Sequence, residues 1–488
     1  MKKLFVIVLL ICEVYGWTAF WRGRKYGGNI VDPEKIANRN FISLRDITSD
    51  NWLTQKLDHF DFLNTKTWKQ RYYVSAQYYK PNGPIFLMIG GEGEAISAWM
   101  KKGAWITYAQ RFGSLCFMVE HRFYGKSHPT NDISTTSLSF LSSEQALADL
   151  AYFVTAMNSQ YNLTADDKWI AFGGSYAGSL AAWLRKKFSH LIYGAVASSS
   201  PLLAKVEYPD YLKIVQDELA NYDGCDCVNE VQIAINKIDS IMKVQNGPQS
   251  MSKHFKFCGT FSGTFSNLDI STIYESIANI FAGVVQNNFG VTVHDVCGIM
   301  CNMSIIPATL RLVEANSIVM KAYGQNCFQY NYNQMIDYLK VSSWSSDSSE
   351  GSRQWLYQTC SEFGFYQTSS NSSSIFGDRI SIQYFMQLCI DVFGSNFNFN
   401  SLTNAVNRTN VMYGGLYPET TNVIYVQGSM DPWHALGLTQ TNSIQPQPTI
   451  YIDGTSHCAD VYPPSKKDPP ELTAARVKIV KFLSKLLN

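Results

Sequence analysis

The stretch from Ala171 to Gly178, A-F-G-G-S-Y-A-G, constrains this chain more than any other, because it sets Ser175 between two runs of different periodicity. Ahead of it, Asp167 to Phe172 is a short apolar run rich in β-formers, suited to a buried strand. Behind it, Ser179 to Phe188 (S-L-A-A-W-L-R-K-K-F) reads as helix. A chain that turns so sharply from strand to helix needs small residues at the bend, and Gly173, Gly174, Ala177 and Gly178 supply them. The pattern departs from G-x-S-x-G in one place, since position 177 is alanine and the glycine follows one residue later.

The rest of the chain alternates strand and helix on both sides of this turn. Arg71 to Tyr79 alternates like a strand, and Pro84 to Ile89 and Ser114 to Val119 are buried-type apolar runs. Ser143 to Asn158 reads as a helix opened by a Ser142 cap, and Tyr193 to Ser198 as a further strand. The alternation stops near Leu203. Sheet signals return at Asn422 to Val426 and Thr449 to Ile452, and an amphipathic helix from Pro470 to Leu487 closes the chain. The expectation is an α/β-hydrolase fold with its parallel sheet interrupted by an inserted, disulfide-tied helical cap. The expected division is a signal peptide over 1–16 and a leader or propeptide-like segment over 17–50. The hydrolase domain then occupies 51–202 and 411–488, on either side of a cap over 203–410. The serine-rich Ser342 to Ser352 run reads as a surface loop.

Composition narrows the function classes. Among 488 residues, 40 Lys and Arg nearly balance 39 Asp and Glu, so nothing marks a nucleic-acid or anionic-membrane partner. Met1 to Cys12 joins two lysines to an apolar stretch, with Val14 and Gly16 at small-residue cleavage positions: a secretory signal. No later segment reaches about 20 uninterrupted apolar residues, so no membrane span is expected. Cys12 leaves with the signal, and the cysteines that remain are expected to be mostly disulfides. Cys225-Asp-Cys227 and Cys297-x-x-x-Cys301 lack histidines at ligand spacing, which sets a metal site aside. Cys116 reads as a buried thiol. Asn162, Asn302, Asn371 and Asn407 head glycosylation sequons. No cofactor or metal is expected. A homodimer is compatible with the sequence.

Two later loops carry partners for Ser175. One holds Gly428-Ser-Met-Asp431-Pro-Trp-His434, the other Gly454-Thr-Ser-His457-Cys-Ala-Asp460. Serine, acid, histidine is the chain order of hydrolase triads, and loops leaving strand carboxyl ends open on one edge of a parallel sheet. Such a hydroxyl attacks only if a neutral imidazole takes its proton and a carboxylate orients that imidazole. Ser175, Asp431 and His457 are therefore the catalytic candidates. His434 competes with His457 as base, and Asp453 and Asp460 with Asp431 as acid. The oxyanion donors expected are the N–H of Tyr176 and one from the Gly91-Glu92-Gly93 turn, with Gly93 the candidate and Glu92 beside substrate.

Five segments in order, E-H-R-F-Y-G-K-S (120–127), G-G-S-Y-A-G-S-L-A-A-W (173–183), W-L-Y-Q-T-C-S-E (355–362), M-D-P-W-H (430–434) and G-T-S-H-C (454–458), resemble the lysosomal serine exopeptidases. That family comprises prolyl carboxypeptidase, dipeptidyl peptidase II and thymus-specific serine protease, and the D-P-W-H and S-H-C variants are most similar to the last type. The resemblance implies the same triad and a secreted or lysosomal serine exopeptidase that cuts peptides after proline or a small residue. Trp355 and Trp433 then become candidates for a flat pocket around a proline ring. Glu362 stands either as an anchor for a substrate amino terminus or as a partner within the fold. Other readings are an esterase or lipase, against which stands the lack of an H-G-G-G motif, and a secreted binding protein with a vestigial site.

Overall fold

The computed structural model describes residues 49–488 except 262, 371–372 and 444–445, together with residues 20, 21, 24, 25 and 30. The signal segment 1–16, most of the 17–50 leader and the sequon asparagine Asn371 lie outside the described residues. Eight strands build one sheet: β1 (Asn51–Lys56), β2 (Thr67–Ser75), β3 (Ile85–Ile89), β4 (Leu115–Val119), β5 (Trp169–Gly174), β6 (Gly194–Ser198), β7 (Val423–Gly428) and β8 (Thr449–Ile452). They lie in the order β1-β2-β4-β3-β5-β6-β7-β8. β2 runs antiparallel to β1 and β4, and every other neighbouring pair is parallel. This is the α/β-hydrolase architecture.

Burial along the strands explains which of them the sequence exposes. Every residue of β3, β4, β5, β6 and β7 is buried, so these strands read as unbroken apolar runs covered on both faces. Alternate side chains divide between the layers. Ile85, Leu87 and Ile89 join a core with helices Ser143–Tyr161 and Tyr176–Lys187, while Phe86 and Met88 join one with helices Ala104–Phe112 and Pro470–Leu487. β1, N-W-L-T-Q-K, carries no such run; its place is set by pairing Lys56 with Thr67 and Asn51 with Tyr72. The same pairing starts β2 at Thr67, four residues before the expected Arg71.

The chain between β6 and β7 is mainly helical, from Pro209–Ala220 to Phe399–Tyr413, with one short parallel pair of strands, Lys205–Glu207 and Gly364–Tyr366, and its last helix runs beyond the expected end at 410. It is tied by disulfides Cys225–Cys301, Cys227–Cys297, Cys258–Cys327 and Cys360–Cys389, which employ both cysteine pairs a metal would have needed. Cys116 and Cys458 are buried free thiols. The insertion is not a separate globule. Its Tyr208, Ile277, Phe363 and Leu388 belong to the same continuous core as Ile85 and Leu180 of the sheet domain. One helix among the described residues, Asn267–Asn287, is long and apolar enough to cross a membrane; 78% of its most apolar window is buried inside the protein. The serine-rich run departs from the surface loop expected: Ser348 is buried, and Glu350 and Gly351 meet residues of the cleft described below.

Candidate active site

Ser175 sits where β5 ends and the Tyr176–Lys187 helix begins, at φ 80° and ψ −125°. A residue with a Cβ adopts that conformation only under strain of about 1–3 kcal/mol, held here by the surrounding backbone. Ser175 N–H donates to the carbonyl of Ser198 on β6 (2.9 Å). The glycines leave no room to relax. A Cβ on Gly173 would lie 2.1 Å from the Ala177 oxygen, and one on Gly178 2.5 Å from the Ser198 oxygen. A helix that starts immediately after the bend brings the Tyr176 N–H, one of the orphan donors of a first turn, next to Ser175.

The loops after β7 and β8 come to the same edge. His457 Nδ1 lies 2.8 Å from Asp431 Oδ2, both side chains being fully buried. The other Asp431 oxygen accepts the Trp433 N–H (3.0 Å). His457 Nε2 is buried and makes no hydrogen bond among the described residues. Its loop is pressed against the serine turn: a Cβ on Gly174 would meet Cys458 Sγ at 2.8 Å, and the Cys458 N–H donates to Ser199 Oγ (2.8 Å). The insertion holds the histidine from the far side, the carbonyl of Gln286 accepting the His457 N–H (3.0 Å). The rivals are engaged elsewhere. Asp460 accepts from Ser198 Oγ (2.6 Å), the more exposed Asp453 from Ser429 Oγ (3.3 Å), and His434 packs edge-on to Tyr451.

Burial disfavours an imidazolium at His457, but the Asp431 carboxylate and the Cys458 sulfur together outweigh it and hold the ring above its ordinary range. A general base must be neutral, so the rate should fall as pH drops through that raised value. The acid limb of a kcat/KM profile is therefore expected above pH about 6.5, the unperturbed imidazole value. A rate flat down to pH about 5 would contradict the pairing.

The turn after β3 is fixed from below. Glu120, buried at the end of β4, accepts from the Ala95 N–H (3.0 Å), Arg71 Nη2 (2.5 Å), the Lys126 N–H (2.9 Å) and Ser127 Oγ (2.7 Å). Arg71 also donates to the Ala95 carbonyl (3.2 Å), so one buried ion pair grips both backbone groups of the residue that ends the Gly91–Ala95 turn. Glu120→Ala strips Arg71 of its buried partner and should destabilise the fold by about 3 kcal/mol in denaturant titration. Gly91 passes close enough that a Cβ there would touch Ala177 Cβ at 3.4 Å, which places the turn beside the start of the Tyr176–Lys187 helix.

His121 was not among the candidates weighed from sequence, although it lies inside E-H-R-F-Y-G. Its Nδ1–H donates to the Arg122 carbonyl (2.7 Å), so Nε2 accepts from the Tyr176 hydroxyl (3.0 Å), which in turn accepts from Gln358 Nε2 (3.0 Å), and Gln358 Oε1 accepts from Tyr124 (2.6 Å). Burial lowers the His121 pKa to about 4, so the ring is neutral. This buried chain fixes the residue after Ser175. The signal is a histidine two residues past a strand end, in the region where parallel sheets present functional groups.

The two tryptophans belong to one aromatic wall. Trp355 packs 5.8 Å from Tyr176 and 6.2 Å from Phe363, Phe363 stacks on Phe365 (5.5 Å), and Phe365 meets Trp433 edge-on (5.3 Å). Trp433 Nε1 donates to Gln286 Oε1 (2.9 Å), as does the Tyr211 hydroxyl (2.6 Å). Glu362 is bonded within the fold. Its carboxylate accepts the Ser143 N–H (3.1 and 2.9 Å), at the start of helix Ser143–Tyr161, and the Ser143 hydroxyl, and burial pushes its pKa to about 7. Glu92 is buried in the turn with Gly93. Asn162, Asn302 and Asn407 are exposed, as glycosylation requires.

Known proteins are similar to this chain along almost its whole length. The sequence profile of a family described as serine carboxypeptidase S28 matches residues 55–479. A putative serine protease of Caenorhabditis elegans, K12H4.7, is 36% identical over 96% of this chain and 93% of its own. The thymus-specific serine protease of Mus musculus is 34% identical over 91% of this chain and 88% of its own. The lysosomal Pro-X carboxypeptidase of Homo sapiens is 26% identical, over 87% and 85% respectively.

Proposed function

Because the chain belongs to the serine carboxypeptidase S28 family and is a serine peptidase, we propose that it is an exopeptidase working through Ser175, His457 and Asp431. The observation that carries this reading is the buried His457–Asp431 pair held against a strained serine turn. His457 Nε2 takes the Ser175 proton as Oγ adds to the substrate carbonyl. The negative charge on the former carbonyl oxygen is met by the Tyr176 N–H and by the Gly91-Glu92-Gly93 turn, Gly93 being the candidate second donor. Collapse expels the amine, which receives the proton from His457. Water, deprotonated by the same imidazole, then frees Ser175 from the ester.

The wall from Trp355 to Trp433 supports a flat apolar residue, proline above all, on the acyl side of the cleaved bond. It starts at Tyr176, beside the nucleophile, and ends at the acid-bearing loop. The insertion reaches the histidine loop through Gln286, and the resemblance to the exopeptidases supports action at a chain end. A serine-directed fluorophosphonate should label the wild type. Peptides of matched length, with proline placed second from either end, should then be trimmed at one end. Labelling without cleavage of either peptide would favour an esterase, and no labelling would leave a vestigial site. The 1–16 segment and the exposed sequons support a secretory route, to the cell exterior or the lysosome.

A further inference from the structure

Residues of the leader reach the candidate cleft. Phe20–Trp21 pairs antiparallel with Arg24–Lys25, and this short ribbon lies against the Asn267–Asn287 helix of the insertion with Trp21 buried. Ile30 lines the same cavity as Gly91, Glu92 and Gly93 of the oxyanion turn and Gly174 and Ala177 on either side of Ser175. A Cβ on Gly174 would stand 2.7 Å from Ile30 Cδ1.

Between them, Arg24 is 4% exposed and fully engaged. Nε donates to the Glu92 carbonyl (3.0 Å), Nη1 and Nη2 reach the two carboxylate oxygens of Glu350 (3.1 and 3.0 Å), and Nη2 also meets the Glu350 carbonyl (3.1 Å). The hollow is shaped around the group, for a Cβ on Gly351 would lie 2.3 Å from Nη2. Ser352 Oγ donates to Glu350 Oε1 (2.5 Å) and holds the carboxylate in register. A planar fork met by a carboxylate in its plane and by two carbonyls is guanidinium recognition, and an ammonium could not match it. Part of that cradle is the carbonyl of Glu92, in the very turn that faces the serine.

We propose that Glu350, with the Glu92 carbonyl, forms a guanidinium subsite of the substrate cleft, taking the arginine side chain of a peptide, and that Arg24 fills it from within the chain. The proposal rests on reading the cleft as a peptidase site. It makes the leader a competitor of arginine-bearing substrates, and Glu350 a residue of specificity that touches substrate once Arg24 is out.

The test uses full-length chains and a probe that needs no catalysis. Methylguanidinium should raise the melting temperature of Arg24→Ala saturably, with methylammonium at least about tenfold weaker. It should do nothing specific to the wild type, where Arg24 holds the site, nor to the Arg24→Ala, Glu350→Gln double variant. Where alanine does not fold, Arg24→Met keeps the aliphatic stem. In the vacated variant, peptides bearing arginine should be cleaved with kcat/KM at least about tenfold above citrulline analogues, and Glu350→Gln should erase that ratio. No saturable shift with methylguanidinium, or equal rates for arginine and citrulline peptides, would overturn the proposal and leave a purely structural ion pair. Failure of the peptidase reading would look different, as absent serine labelling with guanidinium binding intact.

Discussion

Ser175→Ala is expected to lower kcat by about 10⁶-fold and to abolish labelling by a serine-directed fluorophosphonate, while the protein keeps its fold. The attacking oxygen is lost outright, whereas the oxyanion donors and the cleft remain, so a residual rate above that in water should persist. Alanine keeps the Cβ and therefore the strain of φ 80°. Ser175→Gly removes both, and should melt higher than Ser175→Ala by an amount equivalent to about 1 kcal/mol, the smaller end of such strain energies. Peptidase activity in Ser175→Ala comparable to the wild type would place the nucleophile elsewhere. Equal melting of the two variants would mean that the serine turn stores no strain.

Asp431→Asn is expected to cost about 10⁴-fold in kcat with little change in KM. Its Oδ1 can still accept the Trp433 N–H, so the loop should keep its shape. The amide nitrogen, however, would face His457 Nδ1 as a donor, putting the ring proton on Nε2, where it cannot accept from Ser175. The carboxylate is also the largest of the groups that raise the His457 pKa, so the acid limb of whatever activity survives should move to lower pH. A variant with unchanged kcat would pass the role to Asp460 or Asp453, neither of which makes a hydrogen bond to the ring in the structure. A loss of kcat with an unmoved acid limb would mean that Asp431 acts by shape alone.

Much of the architecture was legible because the central strands are covered on both faces. β3, β4, β5 and β6 emerge as apolar runs within two residues of their ends, and Thr449–Ile452 and Pro470–Leu487 appear at their full lengths. β1 and the Ala104–Phe112 helix did not emerge, β1 because an edge strand with two apolar residues in six is defined by its partner, not by its own pattern. The pairing of the insertion's cysteines was equally hidden, since spacing along the chain does not say which thiols meet.

The candidate site divides along the same line. Ser175, Asp431 and His457 can be proposed from the sequence, because loops after successive parallel strands all open on one edge and the chemistry needs one of each side chain in that order. Among the competing acids, Ser198 takes Asp460 in the structure while Asp431 lies against His457 Nδ1. Other roles depended on contacts between residues hundreds of positions apart. Glu362 caps a helix that begins at Ser143, Gln286 of the insertion steadies both Trp433 and the His457 loop, and Glu350 from a serine-rich run closes on Arg24. The sequence by itself determined the sheet, the position of its serine turn and the chain order of three reactive groups, because burial and strand polarity leave periodic traces. Only the tertiary structure decided what lines the cleft around them, because a buried polar side chain is defined by the partner that satisfies it, and that partner leaves no mark nearby in the chain.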